Sequence, residues 1–316
     1  MGEVGTDIKL AEDVLRKNDC VAIPTETVYG LAANALHEHA VAKIFTIKKR
    51  PVFDPLIVHI ADADQISDFV TSVPGIARDL AAAFWPGPLT LLLPKRNIIP
   101  DITTSGLSSV GLRVPNHPLT LSLLYHLPFP LAAPSANPFG YISPTSALHV
   151  KHQLGNDIQY ILDGGECIIG LESTIIDLSV KEPVVRRWGG ITAEMLYDFL
   201  GNIKADDHSS SNPLAPGMLH SHYAPTITLY AGHRMEIAPK MNPADCATIS
   251  FTEPWPSKCN LILSPTGDLG EAARNLFRYM RELDLRDDIK CIYSEWVPNK
   301  GIGVAINDKL RRASHR

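Results

Sequence analysis

Lys48, Lys49 and Arg50 leave the end of a helical register (Val41, Ile44, Phe45, Lys48) just before Pro51 and the apolar run 56–60. Cations in a last helical turn offset the helix dipole, which needs no ligand. Loops at strand ends of α/β proteins are also where ligands sit, so dipole balance and anion binding stand level. Ala133-Pro134-Ser135-Ala136-Asn137-Pro138 and Ser143-Pro144-Thr145 are open in the same way. They read as proline-stiffened loops whose Ser and Asn cap their own backbone, or as a hydroxyl and amide platform for phosphate oxygens. Pro24-Thr25-Glu26-Thr27-Val28-Tyr29-Gly30 offers two hydroxyls, a carboxylate and a phenol, which suit a small polar substrate such as an amino acid. His59, on an apolar strand, reads first as a satisfied core histidine and second as a ligand. Arg113 in Gly111-Leu112-Arg113-Val114-Pro115 needs an anionic partner.

Several common machineries are absent from the sequence: G-x-x-x-x-G-K-[ST], an early G-x-G-x-x-G, G-x-S-x-G and H-E-x-x-H. His220 and His222 lack a nearby third ligand, so no metal site is expected there. The net charge of -5 gives no general attraction to nucleic acid or an anionic membrane. Basic residues are nonetheless clustered: between Ala81 and Asn156 only Asp101 is acidic, against Lys95, Arg96, Arg113 and Lys151. With Lys48-Lys49-Arg50 and Arg186-Arg187 they can line a positive cavity in an acidic body, a means of capturing a triphosphate. Five widely spaced cysteines without C-x-x-C suggest neither a disulfide framework nor a zinc ribbon. No apolar run is long enough to span a bilayer and no signal peptide is evident, so a cytoplasmic protein is expected.

At 316 residues the chain exceeds what one core usually organises, and two domains are expected. Hydrophobic periodicity predicts helices over 6–19, from 37 to 50, and near 62–72, 75–85, 117–126, 145–154 and 192–200. Strands are predicted at 20–24, 56–60, 89–94, 109–115, 130–133, 159–162, 174–178 and 184–188, with 25–30 a loop. The mixed rhythm implies an α/β domain with a mixed, twisted sheet, including a hairpin around Lys181-Glu182-Pro183. Residues 201–225 have linker composition, yet Ala215-Pro216-Gly217-Met218 through His222-Tyr223-Ala224-Pro225 is too rich in His, Tyr and Met for a spacer. Beyond it, strands at 227–231, 247–251, 260–263 and 291–293 with helices near 268–283 and 301–313 suggest a small open parallel sheet.

Taken together, Pro24-Thr25-Glu26-Thr27-Val28-Tyr29-Gly30, Lys48-x-Arg50-Pro51 with Pro55-Leu56-Ile57-Val58-His59, Trp85-Pro86-Gly87-Pro88-Leu89-Thr90, Gly111-Leu112-Arg113-Val114-Pro115 and Pro134-Ser135-Ala136-Asn137 resemble the YrdC-like domain. The linker and the C-terminal part resemble the two-domain form of the L-threonylcarbamoyladenylate synthase family, so that the likeness covers nearly the whole chain. It implies an α/β fold: a YrdC-like mixed twisted sheet with helices over 1–200, a linker closing over the site at 201–226, and a small Rossmann-like parallel domain at 227–316. The implied reaction condenses L-threonine, bicarbonate and ATP, with Mg2+, to threonylcarbamoyl-AMP and pyrophosphate. A downstream threonylcarbamoyl transferase complex would then modify tRNA. The carbamate of threonine is already an anionic nucleophile, so positioning and charge neutralisation suffice.

By position, the resemblance assigns Thr25, His59, Arg113 and Ser173 to threonine, and Arg50, Asp54, Ser109, Ser135, Ser143 and Arg187 to ATP. Lys48 and Asn137 complete the set, with Lys48 and Arg50 as catalytic cations, and Tyr223 closes over the adenylate. Lys49 points elsewhere by helical spacing. Two positions depart from the family pattern. Asp54 stands where relatives often have an amide, and its carboxylate would repel phosphates unless it faced ribose or a metal. Ala215 replaces a serine common before Pro216-Gly217. The alternatives are a double-stranded RNA-binding YrdC-like module without adenylating activity, which would bind RNA weakly given the acidic net charge, and a carbamoyl-phosphate-processing protein of hydrogenase maturation, whose acylphosphatase and zinc-finger segments are missing.

Overall fold

The computed structural model describes residues 2–206, 213–219 and 221–315; His220 lies outside them. The larger sheet uses β1 (Glu3–Gly5), β2 (Val21–Ile23), β3 (Gly30–Asn34), β4 (Ile57–His59), β5 (Leu89–Pro94) and β6 (Ser109–Arg113). It continues with β7 (Leu131–Ala132), β8 (Tyr160–Leu162), β9 (Thr174–Asp177), β10 (Val184–Arg187) and β11 (Lys204–Ala205). Their spatial order is β1-β8-β2-β3-β7-β4-β6-β5-β9-β10-β11, a mixed sheet as expected. β9 and β10 form the predicted antiparallel hairpin. The smaller sheet, β12 (Thr228–Gly232), β13 (Cys246–Ser250), β14 (Cys259–Ile262) and β15 (Cys291–Glu295), has the order β12-β15-β13-β14 and is parallel throughout.

Local sequence explains the elements that place the site. The helix Glu38–Lys48 starts on His37, whose ring accepts from the Ala40 N–H, and buries Val41, Ile44 and Phe45. It stops at Lys48, because Lys49 adopts φ 52° and turns the chain out of the helix. Arg50 therefore lies beyond the helix, not in its last turn. β4 and β6 run parallel with His59 opposite Arg113, which sets these two side chains together at the carboxyl ends of adjacent strands.

Three predictions differ. The segment 62–72 is a short 3-10 turn, Ala63–Gln65, followed by one helical turn, Ile66–Phe69, then an extended chain. The unassigned stretch after the 25–30 loop is β3, whose small residues (Gly-Leu-Ala-Ala-Asn) show neither helical nor alternating periodicity. The larger sheet also takes a strand from Lys204–Ala205, beyond residue 200.

The two sheets are not beads on a string. One apolar cluster joins Val28, Ile142 and Leu171 of the first domain and Tyr223 of the linker to Leu276, Phe277, Met280 and Ile306 of the second. Burying a side chain the size of Phe277 contributes about 1.5–3 kcal/mol, so this shared core fixes the domains against each other. Among the described residues, no helix is long and apolar enough to cross a membrane.

Candidate functional site

A small cavity, of about 40 Å3, opens where the carboxyl ends of β4 and β6 meet the linker. Its walls bring Arg50, Arg113 and Arg187 together from the 50–55 loop, β6 and β10, with His59, Ser135 and Ser173. Pro216, Gly217, His222 and Tyr223 of the linker close it. The five residues Thr25, Lys48, Asp54, Asn137 and Ser143 are buried close by in the chain but do not form its lining. Ser109 is also outside the lining, although it shares the face of β6 with Arg113 four residues on.

Each arginine is oriented by several neighbouring groups. Arg113 Nη2 donates to Glu26 Oε1 at 2.7 Å and to Thr27 Oγ1 at 2.9 Å, while Nε donates to the Gly87 carbonyl. Glu26 is thus the anion that a buried arginine requires, and its second oxygen accepts from the Asn116 N–H. Arg187 donates to the carbonyl and hydroxyl of Ser173 and to the Pro216 carbonyl, tying β10 to the lid. Ser173 also shares a 2.7 Å hydrogen bond with Thr90. Arg50 curls back onto the carbonyls of Asp54 and Pro55, and its Nη2 lies 2.8 Å from Asp54 Oδ2.

That contact answers the question posed by Asp54. The carboxylate faces Arg50 and lies off the cavity wall. Burial pushes its pKa up while Arg50, Lys48 and Arg187 oppose the rise. The other departure, Ala215, is fully buried among Ile57, Leu92, Ile175 and Met218, an apolar setting that suits a methyl group.

Lys48, expected on the cavity wall, lies behind it. It is 1% exposed, and its ammonium donates to the carbonyls of Ser135 and Asn137, with its pKa driven well down by burial. The side chain ties the 135–137 turn to the helix end. Asn137 likewise braces its own loop, donating to the carbonyls of Pro138 and Tyr141. Thr25 closes a local turn, donating to the Val28 carbonyl and accepting from the N–H groups of Thr27 and Val28. Lys49 is exposed, as its spacing implied.

Glu172, unremarked in the sequence, lines the cavity with one oxygen accepting from Ser143 Oγ at 2.5 Å and the other buried without a partner. His59 also lines it; burial, then the charge of Arg113, lowers its pKa to about 3, so its imidazole is neutral. His222 is neutral for the same reason, with burial followed by Arg50, Lys48, Arg187 and Arg312 holding its pKa well below the ordinary value.

The lid is held from both sides. Tyr223, 1% exposed with φ 64°, stacks on Phe277 at 5.4 Å and lies beneath the Lys309 ammonium. Gly217, at φ 81°, passes so close that a Cβ would stand 2.7 Å from Tyr223 Oη. Arg312 donates to the carbonyls of Met218 and Leu219 and pairs with Asp308 at 3.0 Å. Arg281 donates to the carbonyls of Ile142 and Ser143 and to Gln153. The arrangement offers a small cationic pocket with serine and threonine hydroxyls on its wall and the linker across its mouth, chemistry that suits an anionic ligand.

Comparisons with known proteins give the family. The Telomere recombination family, which groups Sua5, YciO and YrdC, matches residues 13–189, and the Threonylcarbamoyl-AMP synthase, C-terminal domain family matches residues 191–315. Threonylcarbamoyl-AMP synthase of Pyrococcus abyssi is 41% identical over 97% of this chain and 94% of its own, and that of Bacillus subtilis 37% identical over 97% and 92%. The crystal structure of P. abyssi Sua5 complexed with L-threonine superposes with a TM-score of 0.92 at 39% identity, covering 97% of this chain and 94% of that one. This chain belongs to the threonylcarbamoyl-AMP synthase family.

Proposed function

We propose that the chain is a nucleotidyltransferase that condenses L-threonine, bicarbonate and ATP to threonylcarbamoyl-AMP and pyrophosphate, for transfer to tRNA by a downstream threonylcarbamoyl transferase complex. One observation carries this reading: three arginines distant in sequence converge on one cavity that the linker closes. The relatives' name and the threonine held by P. abyssi Sua5 support it.

In this reading threonine sits toward His59, Arg113 and Ser173, with its carboxylate on the guanidinium of Arg113. Its amine adds to bicarbonate, water leaves, and a carbamate oxygen attacks the α-phosphorus as the bond to pyrophosphate breaks. No protein nucleophile is needed. Arg50 and Arg187 neutralise charge on the phosphates; a preorganised donor of this kind is worth about 3 kcal/mol, roughly a hundredfold in rate. Lys48 acts through the 135–137 turn it holds and is a positioning residue. Magnesium arriving with the triphosphate would be held by Glu172, whose buried, unpartnered oxygen suits a hard cation, and would neutralise phosphate charge. Tyr223 excludes water from the adenylate.

The test is mass detection of threonylcarbamoyl-AMP, with pyrophosphate release, in mixtures with and without bicarbonate and L-threonine. Product that depends on both is expected. ATP left unconsumed while RNA binds in a salt-sensitive manner would overturn the reading in favour of an RNA-binding module.

A further inference from the structure

The small parallel sheet has a crevice of its own, of about 630 Å3, for which the adenylation chamber has no use. The chain leaves β13 toward β14 at one edge of the sheet. After β15 it turns the other way, into the helix Gly303–Ser314 that packs on β12. Loops therefore diverge between neighbouring strands β13 and β15, and in open α/β sheets ligands occupy such a gap at the carboxyl ends. The crevice is lined there by Phe251 and Thr252 after β13, Glu295 and Trp296 at the end of β15, His233 after β12 and Arg311 on the helix.

Its walls are built in advance. The Asn307 side chain both accepts from the Val297 N–H and donates to the Val297 carbonyl, fixing the loop after β15. Glu295 Oε1 accepts from the Phe251 N–H at 2.6 Å, which locks the carboxylate across the gap between β13 and β15. Trp296 is half-buried, with the Arg311 guanidinium 5.9 Å from its ring centroid. A fixed carboxylate accepts hydrogen bonds from vicinal hydroxyls, an indole face stacks on a planar ring, and an exposed guanidinium takes an anion. One guanidinium beside one carboxylate suits a small anion and opposes a polyphosphate or a long polyanion.

We propose that this crevice is a second nucleotide site, for a ribonucleoside monophosphate: base against Trp296, ribose hydroxyls on Glu295, phosphate toward Arg311. It lies outside the adenylation chamber and shares no lining residue with it.

Equilibrium dialysis of the full chain with labelled AMP tests this. Two AMP per chain are expected. Glu295→Gln, which keeps the acceptor for Phe251, should weaken the second site about tenfold, and Arg311→Ala severalfold, while the first site retains its affinity. AMP lacking both ribose hydroxyls should lose about tenfold at the second site in the parent chain and nothing further in Glu295→Gln. A single site, or a second one indifferent to both substitutions and to the hydroxyls, would overturn the proposal. The changes are read on the second site alone, so a failure of the adenylation reading would show separately, as AMP binding without product formation.

Discussion

The two domains bury their cations for opposite ends. Arg50, Arg113 and Arg187 stand on the wall of the chamber, each steadied by a carboxylate, a hydroxyl or backbone carbonyls. Arg281, Lys309 and Arg312 of the second domain are as deeply buried, but they donate to carbonyls of the first domain and the linker: Ile142 and Ser143, Trp188, Met218 and Leu219. A guanidinium is costly to bury, and here one group meets that cost by facing a cavity where an anion can enter, the other by capping chain segments that shape the cavity. The teaching is that the second domain acts on the chamber without supplying its arginines. It anchors the 142–143 segment and the lid.

This division can be broken most sharply at Arg50. Arg50→Ala should reduce adenylate formation a hundredfold or more, with Arg50→Lys recovering only part; turnover near normal in the alanine variant would remove Arg50 from the phosphate-binding set. The next largest effect is expected at Arg281. Arg281→Met leaves buried carbonyls of Ile142 and Ser143 without a donor, which costs about 2–3 kcal/mol of stability. Urea midpoints should fall accordingly, and KM for ATP should rise more than kcat falls. A fully stable but inactive variant would place Arg281 among the ligand-binding cations and collapse the distinction.

Acid sharpens the comparison further, because the buried histidines belong to the chamber side. His59 has a folded pKa of about 3, below the unfolded value near 6.5, and His222 is shifted in the same direction. Below about pH 6.5 the unfolded chain binds the extra protons, so their contribution is full above that pH and is lost as pH falls toward the folded values. For His59 that loss should be about 1.4 kcal/mol per pH unit across that window. His59→Gln should therefore flatten the dependence of unfolding free energy on pH between 6 and 4 by about that slope; an unchanged slope would mean that His59 titrates normally. The smallest effect is reserved for the lid. Gly217→Ala adds a methyl group at a positive φ against Tyr223, and about 1 kcal/mol of stability should be lost. Product hydrolysis should rise severalfold if closure protects the adenylate, and remain as in the parent if the linker is only a tether.

What could be read beforehand follows the range of the forces involved. The helix through Val41, Ile44 and Phe45 was legible because these residues keep a 3.6-residue period, though its end was read two residues late, and the β9–β10 hairpin was legible because two apolar runs flank a polar turn. The need of Arg113 for an anion was legible from its place in an apolar strand. Its partner was not, since Glu26 lies 87 residues away and only the folded sheet brings them together. The contacts of Lys48 were hidden for a related reason: its acceptors are backbone carbonyls, which every residue possesses and no side-chain pattern marks. Glu172 carried a weak signal, a carboxylate directly before the polar pair Ser173-Thr174 that enters β9, but nothing local said that it would face Ser143.

The outer strands of the larger sheet bear on how the protein behaves in a crowded solution. An eleven-stranded sheet could offer two long rows of unpaired peptide groups to a neighbouring molecule. Here the margins are Glu3–Gly5 and Lys204–Ala205, three and two residues long, and both residues of the latter are exposed. Margins that short, one of them carrying an exposed lysine, give a second sheet too few peptide groups to register against. Lengthening the Lys204–Ala205 edge with β-branched residues is thus the alteration that would turn a self-contained sheet into a template for fibres.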